Sequence, residues 1–365
     1  MENYITVLGA SGLVGSAIAQ NLMQHHDRPI VVAYNTRLPV FDKNKTIAVK
    51  LDATRQGDVE EFFKNYPSKH VYLAAAKVGG ILANNTYKAE FIYHNMSIAL
   101  NVIHSAYIFG VKKLLNLGSS CIYPKYATQP MKEEYLLTSA LEPTNEPYAI
   151  AKISAIKLCR YYNEQYGTNF ISIMPTNLYG GADNYNLETS HVLPAFIRKF
   201  HLAKLFLQND YDAIVKDLNQ HAIGFGLDYS QREIETLLQK LGIERGRITL
   251  WGTGEVYREF LHVNDLADAA IFIMNNINAK DMANYCPDYF VNVGTGEDIK
   301  LKDLAQLVAD IVGYDGTIKW DSSKPDGTPK KLLDVSKIHT LGWKAKIGLE
   351  QGIRMVYNEY CNMFR

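Results

Sequence analysis

The chain has 365 residues, enough for one large or two modest domains with a substantial hydrophobic core. Lysine plus arginine (38) balances aspartate plus glutamate (38), so the overall charge favours neither a nucleic acid nor a membrane surface as partner. The N-terminus enters the strand-like run "YITVLGA" without the features of a signal peptide. No uncharged apolar run approaches the ~20 residues that a membrane helix needs. Cysteines are scattered without metal-ligand spacing, which favours reduced thiols, a cytoplasmic location and no metal: Cys121, Cys159, Cys286 and Cys361.

The first half of the chain alternates short β-type runs with helical patterns, which predicts an α/β fold with a Rossmann-type doubly wound parallel sheet. The predicted strands are Ile5–Leu8, Ile30–Ala33, Thr46–Leu51, His70–Ala75, Lys113–Leu117 and Asn169–Met174. The predicted helices lie near Gly15–Gln24, Gly57–Asn65, Lys88–Phe109 and Ala149–Tyr166. A helical insertion is predicted at about 205–247, followed by two further β-type runs, Ile248–Trp251 and Tyr289–Val293.

The segment "VLGASGLVGSAIAQNL" places three glycines between the first strand and the first helix. Glycines there let the backbone approach a pyrophosphate, whose charge the helix N-terminus favours. Strand before and helix after make this context specific, and the spacing GxxGxxG is typical of extended short-chain dehydrogenases. The residues predicted to contact a dinucleotide here are Gly9, Ser11, Gly12, Leu13, Val14 and Gly15.

The end of the second strand, "VVAYNTR", predicts which nicotinamide cofactor is used. An NAD enzyme usually has an acid there that binds the ribose 2′-hydroxyl. This chain has Asn35 and then Arg37, which favours NADP(H) with Arg37 on the 2′-phosphate. Asp52, after the third strand, can accept from the adenine amino group. Ala74 and Ala75, at the end of the fourth strand, are also predicted to line the cofactor.

The run "EPYAIAK" places Tyr148 and Lys152 four residues apart, on the same side of a helix. Proton transfer by a tyrosine near neutral pH requires its pKa to fall by ~3 units, about 4 kcal/mol, from a usual value near 10. The Lys152 ammonium and a positive nicotinamide ring are expected to supply that preference. Ser119, in "GSS" after a strand, is predicted to bind the substrate carbonyl or nascent alkoxide. The chemistry indicated is hydride transfer to or from a carbon bearing oxygen.

Seven stretches together closely resemble the GDP-L-fucose synthase family, the GDP-4-keto-6-deoxy-D-mannose 3,5-epimerase-4-reductases. They are "VYLAAAKVGGILANNTY", "LGSSCIYPK", "LEPTNEPYAIAK", "MPTNLYG", "SHVLPA", "WGTGEVYREFLHVNDLA" and "KPDGTPKKLLD". The resemblance covers nearly the whole chain except the insertion. It implies a two-domain homodimer that uses NADPH to convert a GDP-4-keto-6-deoxy sugar.

The resemblance also implies roles for individual residues. Ser119, Tyr148 and Lys152 match the reductive triad, and Cys121 and His191 match the acid/base pair of epimerisation. The positions that fall where the family holds the GDP-sugar are Asn177, Lys199, Trp251, Arg258 and Lys331, and Asn177 and His191 are also predicted to contact the cofactor. These residue types suit a GDP-sugar, because cationic side chains can bind its diphosphate and an aromatic side chain can lie near its base.

Two departures from the family pattern stand out. Ser11 occupies a position where some relatives have an arginine, which leaves less positive charge for the NADP phosphate, and the insertion follows the helix after His191. A C4 reductase of a GDP-4-keto-6-deoxy-heptose therefore stays open as an alternative. A UDP-sugar 4-epimerase is disfavoured by Cys121 and the missing acid. A nucleotide sensor without catalysis is disfavoured by the intact triad.

The expected domains are discontinuous. Residues 1–174 with about 261–280 are expected to form the NADP-binding domain. Residues of about 175–260 with 281–365 are expected to form a smaller α/β domain that binds the GDP-sugar and carries the insertion.

Overall fold

A computed structural model describes residues 3–221, 230–324 and 326–363. The strands of this part of the chain are β1 Tyr4–Leu8, β2 Ile30–Tyr34, β3 Thr46–Lys50, β4 Ser68–Leu73, β5 Lys113–Leu117, β6 Phe170–Pro175, β7 Asn177–Tyr179, β8 Ile243–Glu244, β9 Arg247–Trp251, β10 Tyr257–His262, β11 Phe290–Val293, β12 Asp298–Lys300, β13 Thr317–Asp321 and β14 Lys330–Lys331. The helices are α1 Leu13–His25, α2 Gln56–Asn65, α3 Ile81–Thr86, α4 Lys88–Ile108, α5 Glu146–Tyr166, α6 Val192–Leu207, α7 Tyr211–Gln220, α8 Gln231–Lys240, α9 Val263–Asn276, α10 Ala279–Ala283, α11 Leu301–Val312, α12 Ser336–Thr340 and α13 Leu349–Asn362.

Seven parallel strands form the main sheet, in the order β11-β6-β5-β4-β1-β2-β3, which confirms the predicted α/β class. The central strands read as nearly continuous apolar runs, such as "FISIMP" in β6, because helices cover both faces of a parallel sheet. After β3 the chain returns to the other side of β1 to form β4. This reversal places the carboxyl ends of β1 and β4 side by side, the usual position of a nucleotide crevice.

The strand prediction holds to within two residues at either end for all six early strands. Helix α5 begins three residues before its predicted start, because Pro147 at the first turn has a backbone φ already suited to a helix. Residues 281–297 and 332–346, which were expected in the second domain, group with the main sheet in the structure. Strand β11 pairs with β6 as the seventh strand of the main sheet, a long-range contact that local pattern does not reveal.

The chain divides into two compact units. The first contains Met1–Leu178, Glu259–Glu297 and Leu332–Lys346, and the second contains Tyr179–Arg258, Asp298–Lys331 and Ile347–Arg365. A four-stranded sheet has the order β12-β10-β14, with β7 also paired to β10, and a three-stranded sheet has the order β13-β9-β8.

The predicted insertion contains helices α7 and α8 and, near its end, strand β8, and it belongs to the second unit. Helices α7 and α8 bury Ile214, Leu218, Ile234 and Leu238. Asp217 of α7 accepts a hydrogen bond from Arg198 Nε at 2.8 Å, and both side chains are fully buried. A buried charge must be paired, so this ion pair fixes α7 to α6. Residues 222–229 of the insertion lie outside the described part of the chain.

Among the described residues, the helices are all too short or too polar to cross a membrane.

Candidate active site

The glycine loop between β1 and α1 is closely packed against the end of β4. Gly9 has a φ of 86°, and a Cβ at this position would come within 2.6 Å of the Ala75 backbone nitrogen. A Cβ on Gly15 would come within 2.2 Å of the Gly9 carbonyl oxygen. Gly12 precedes α1, and no side chain caps the first turn of that helix. The loop therefore presents the backbone N–H groups of a helix N-terminus, beside Ala74 and Ala75, as the pyrophosphate of a dinucleotide requires.

Two charged residues follow β2 and β3, the next two strands of the sheet beyond β1. Arg37 is exposed after β2, and its Nη2 donates to the Ser11 carbonyl oxygen at 2.6 Å. This bond holds the guanidinium beside the glycine loop. Asp52 follows β3 and accepts from the Thr54 hydroxyl at 2.7 Å and from the Thr54 backbone at 3.0 Å. The Thr54 hydroxyl is the main reason why the pKa of Asp52 is lowered, so this carboxylate stays charged and able to accept from an amino group.

The predicted reductive group is brought together where β5 ends. Lys152, which is 8% exposed, donates from Nζ to the Leu117 carbonyl oxygen at 2.7 Å, and Nζ lies 5.7 Å from the centre of the Tyr148 ring. Tyr148 is half-buried and makes a hydrogen bond with the Ser119 hydroxyl. The spacing of the tyrosine and the lysine on α5, together with the turn after β5, therefore places two groups, Lys152 and Ser119, beside the Tyr148 phenol.

The pKa of Tyr148 differs from the sequence expectation. Burial raises it, and the hydrogen bond with Ser119 opposes this only in part. Burial also lowers the pKa of Lys152 to about 8. Taken out of water, both side chains disfavour their charged forms. The expected lowering of the Tyr148 pKa is therefore not produced by the protein groups. They keep the phenol protonated, the state in which it can donate a proton.

Cys121 lies in the turn that follows β5, as the middle residue of the short 3-10 helix Ser120–Ile122. Its thiol is half-buried, and its backbone N–H donates to the Ser119 hydroxyl oxygen at 3.3 Å. A charge on this thiol would raise the pKa of both Tyr148 and Lys152, which shows that it lies near them. The first unit thus holds all four of these predicted groups. His191, the predicted partner of Cys121, belongs to the second unit, and their pairing stays a prediction.

The two predicted diphosphate cations are direct neighbours in the second unit. Arg258 on β10 and Lys331 on β14 are Cα partners in a parallel pair. Burial lowers the pKa of Arg258, and the nearby charge of Asp326 raises it. Arg258 Nη1 donates to the Tyr257 carbonyl oxygen at 2.7 Å. Two cations on adjacent strands suit a dianion, since charge-assisted bonds to phosphate are among the strongest hydrogen bonds.

The other predicted sugar-site residues of the second unit differ in their exposure. His191 caps the start of α6, and surrounding protein atoms together with the charge of Lys331 lower its pKa. Lys199 lies further along α6, where burial lowers its pKa to about 8. Trp251 is 64% exposed, with the Lys324 ammonium 5.5 Å from the ring centre. An exposed indole face is available for stacking on a base.

Two carboxylates that the sequence prediction missed organise these loops. Asp326 accepts from the backbone and the hydroxyl of Thr253 at 2.7 and 2.8 Å, which links "WGTG" to "KPDGTPKK". Asp326 is followed by Gly327, and an Asp-Gly pair in a sequence indicates a turn. Glu259 is fully buried and accepts from the backbone of Thr295 and Leu333 at 2.7 and 2.9 Å. No local pattern marks it.

The side chain of Asn177 is held by the backbone of Glu259. Its side-chain amide donates to the Glu259 carbonyl oxygen at 2.8 Å. The Thr176 backbone N–H donates to the Val293 carbonyl oxygen at 3.0 Å. Asn177 therefore has a fixed orientation after β6, in the first unit.

The described residues hold no group of three or more histidine, cysteine, aspartate or glutamate side chains arranged for a metal.

Comparisons with known proteins identify the family of this chain. The chain is 46% identical over 362 residues to "GDP-L-fucose synthase 1" of Arabidopsis thaliana, covering 98% of this chain and 94% of the relative. It is 45% identical over 354 residues to "GDP-L-fucose synthase" of Escherichia coli strain K12, covering 97% and 95%. A solved structure, "MlghC, GDP-mannoheptose C4 reductase from Campylobacter jejuni with NADP bound", is 38% identical with a TM-score of 0.81, covering 99% of each chain. The model of the NAD dependent epimerase/dehydratase family matches residues 5–221 and 224–291, and the chain belongs to this family.

Proposed function

We propose that this protein is an NADPH-dependent GDP-L-fucose synthase, which epimerises C3 and C5 and reduces C4 of GDP-4-keto-6-deoxy-D-mannose. The observation that carries the proposal is the group at the end of β5, where Ser119, Cys121, Tyr148 and Lys152 lie together. A reductase alone needs Ser119, Tyr148 and Lys152. The thiol beside them is the additional proton-transfer group that epimerisation requires. Identity of 45–46% to two GDP-L-fucose synthases supports the same reading.

In this proposal the first unit holds the cofactor. The backbone of the loop from Gly9 to Gly15 binds the pyrophosphate, Asp52 the adenine and Arg37 the 2′-phosphate. Because Gly9 and Gly15 lack side chains, this loop packs closely on itself and against the Ala75 backbone, which fixes its backbone for such a ligand. Bound NADPH supplies the hydride for C4.

The protein groups then act in two stages. A ketone at C4 acidifies the hydrogens on C3 and C5, so a base can remove each proton and an acid can return it from the opposite face. We assign these transfers to Cys121 and His191. Tyr148 and Ser119 bind the C4 oxygen during inversion. During reduction Tyr148, kept protonated by burial, donates its proton to that oxygen.

The second unit holds the GDP moiety in this proposal. Arg258 and Lys331, paired across β10 and β14, bind the diphosphate, with Lys199 as a further cation. Trp251 presents its exposed face to the ligand.

The function is tested by incubating the enzyme and NADPH with GDP-4-keto-6-deoxy-D-mannose and, separately, with the corresponding heptose. We expect GDP-L-fucose from the first, identified by the NMR couplings of its sugar ring. Formation of an uninverted GDP-6-deoxy sugar would refute epimerisation. Turnover of the heptose alone would favour the C4 reductase alternative, since the 38% identical Campylobacter jejuni protein is named a GDP-mannoheptose C4 reductase.

The position of Arg37 makes a prediction about cofactor choice. Arg37→Ala is expected to raise the KM for NADPH about 10-fold or more and to leave the KM for NADH nearly unchanged. The reason is that a hydrogen bond to a charged group contributes about 1.5–3 kcal/mol. Arg28→Ala is the matched control, because this exposed arginine precedes β2 and Arg37 follows it. An equal change in both KM values would remove Arg37 from the phosphate site.

We also propose a homodimer formed through α4 and α5. Tyr93, Leu100 and Ile108 are exposed on α4, at spacings of seven and eight residues that place them on one face. Ile150 and Tyr161 are likewise exposed on α5, eleven residues apart. Two adjacent long helices with apolar stripes are suited to a four-helix interface with a second copy.

The dimer is tested by light scattering at micromolar concentration, where we expect twice the mass of one chain. Leu100→Asp should shift the mass toward the monomer, because a charge at the centre of an apolar interface is costly to bury. Leu38→Asp, at an exposed leucine outside both helices, should not. A wild-type protein with the mass of one chain would contradict the proposal.

A further inference from the structure

The turn that carries Cys121 is fixed at its far end by two buried residues. It begins at Ser119, whose hydroxyl oxygen accepts from the Cys121 backbone N–H. It ends at Ile122 and Tyr123, which are 0% and 3% exposed. Cys121 itself is half-buried. The Cys121 thiol therefore lies on a short turn between Ser119, which is predicted to bind the substrate, and the buried Tyr123.

Tyr123 is bound to a polar centre on β11. Its hydroxyl donates to the Asn292 side-chain oxygen, and Asn292 is 0% exposed. The Asn292 side-chain nitrogen donates to the carbonyl oxygens of Met131 and Asp334 at 2.9 and 3.1 Å. Its backbone N–H donates to Glu133 Oε1 at 3.0 Å. With these bonds made, Asn292 cannot rotate without breaking several of them, so it gives Tyr123 a rigid acceptor.

We propose that Tyr123 is a positioning residue for epimerisation: its hydroxyl, bound to Asn292, holds the Cys121 thiol where it can exchange protons with the sugar. The inference rests on the function proposed above for Cys121. Burial raises the pKa of Tyr123 far above its usual value, so the phenol remains a donor over the working pH range. Proton transfer needs heavy atoms within about 2.6–3.2 Å, and a small displacement of the turn is enough to disturb it.

The reductive group is held by other contacts. Lys152 is bound to the Leu117 carbonyl oxygen, and Tyr148 is bound to Ser119. Leu117 and Ser119, to which these contacts are made, both precede Cys121 in the chain. Loosening the turn at Tyr123 therefore affects Cys121 first, and we expect epimerisation to suffer more than reduction.

The experiment compares Tyr123→Phe with the wild type in deuterium oxide. The change removes one oxygen atom and keeps the ring, so it leaves the Asn292 acceptor without its donor and creates little empty space. Two quantities are measured on the same sample: deuterium incorporated at C3 and C5 and NADPH oxidised. We expect their ratio to fall about 10-fold. The ratio does not depend on the folded fraction, so partial unfolding leaves the test valid.

Tyr314→Phe is the matched control. Tyr314 is 4% exposed, and its hydroxyl has no hydrogen-bond partner among the described residues. Its removal should leave the ratio unchanged. Cys121→Ser is run in parallel to separate the two levels of inference. An unchanged ratio in Tyr123→Phe, with exchange lost in Cys121→Ser, would overturn the positioning role alone. Full exchange in Cys121→Ser would overturn the proposed function of Cys121 and the positioning role with it.

Discussion

Tyr148→Phe is expected to lower the rate of C4 reduction about 10³-fold, because loss of a general acid typically costs 10²–10⁴-fold. In the proposed mechanism the phenol protonates the alkoxide as hydride arrives at C4. Burial raises its pKa, so it carries the required proton at neutral pH. Lys152 stays in place through its bond to the Leu117 carbonyl oxygen. We therefore expect NADPH binding to change by no more than about 2-fold, well below the 1.4 kcal/mol of a tenfold effect.

The measurement is single-turnover oxidation of NADPH with the 4-keto sugar, followed by its absorbance, together with an independent titration of NADPH binding. Tyr126→Phe is the control, since that ring is 83% exposed and lies outside the group at the end of β5. A Tyr148→Phe enzyme that keeps more than a tenth of the wild-type rate would show that another group donates the proton.

Local patterns were sufficient to predict the first unit's early elements and part of its site. The glycine loop is defined by a strand, a turn and a helix that are consecutive in sequence. Tyr148 and Lys152 are four residues apart on one helix, so helical periodicity alone places them together. Ser119 and Cys121 follow a strand whose carboxyl end is where sites form in parallel sheets.

Long-range pairing was beyond the reach of those patterns. Arg258 and Lys331 are strand partners although 73 positions separate them. β11 joins the main sheet beside β6 from a part of the sequence assigned to the other domain. Asn292 shows the same limit at a single residue. An amide within the apolar run "FVNV" signals a buried hydrogen-bonded group, but only the fold reveals that its partner is Tyr123.

The electrostatic environment was also not predictable from residue types. A lysine next to a tyrosine suggested a lowered phenol pKa. In the fold, burial raises the pKa of Tyr148 and lowers that of Lys152 to about 8. Desolvation depends on how much protein surrounds a group, which sequence spacing does not report.

The thiol next to this group is the feature that separates an epimerase-reductase from a simple reductase. Inversion at C3 and C5 needs a base and an acid that act on opposite faces of the sugar. In the proposed mechanism Tyr148 is occupied with the C4 oxygen. A cysteine thiol has a usual pKa near 8.5 and forms a thiolate far more readily than a serine hydroxyl forms an alkoxide. Cys121 is half-buried and close to Tyr148 and Lys152, which is why we assign it to a sugar bound at Tyr148.

Cys121→Ser is therefore expected to lower proton exchange at C3 and C5 by about 10²-fold or more while NADPH-dependent reduction at C4 continues. The product becomes an uninverted GDP-6-deoxy sugar, and NMR in deuterium oxide should find no deuterium at C3 or C5. Cys361→Ser, which alters a thiol of similar exposure in the second unit, should behave like the wild type. If the wild type itself incorporates no deuterium, the enzyme is a C4 reductase and the Cys121 thiol serves only to pack the turn after β5.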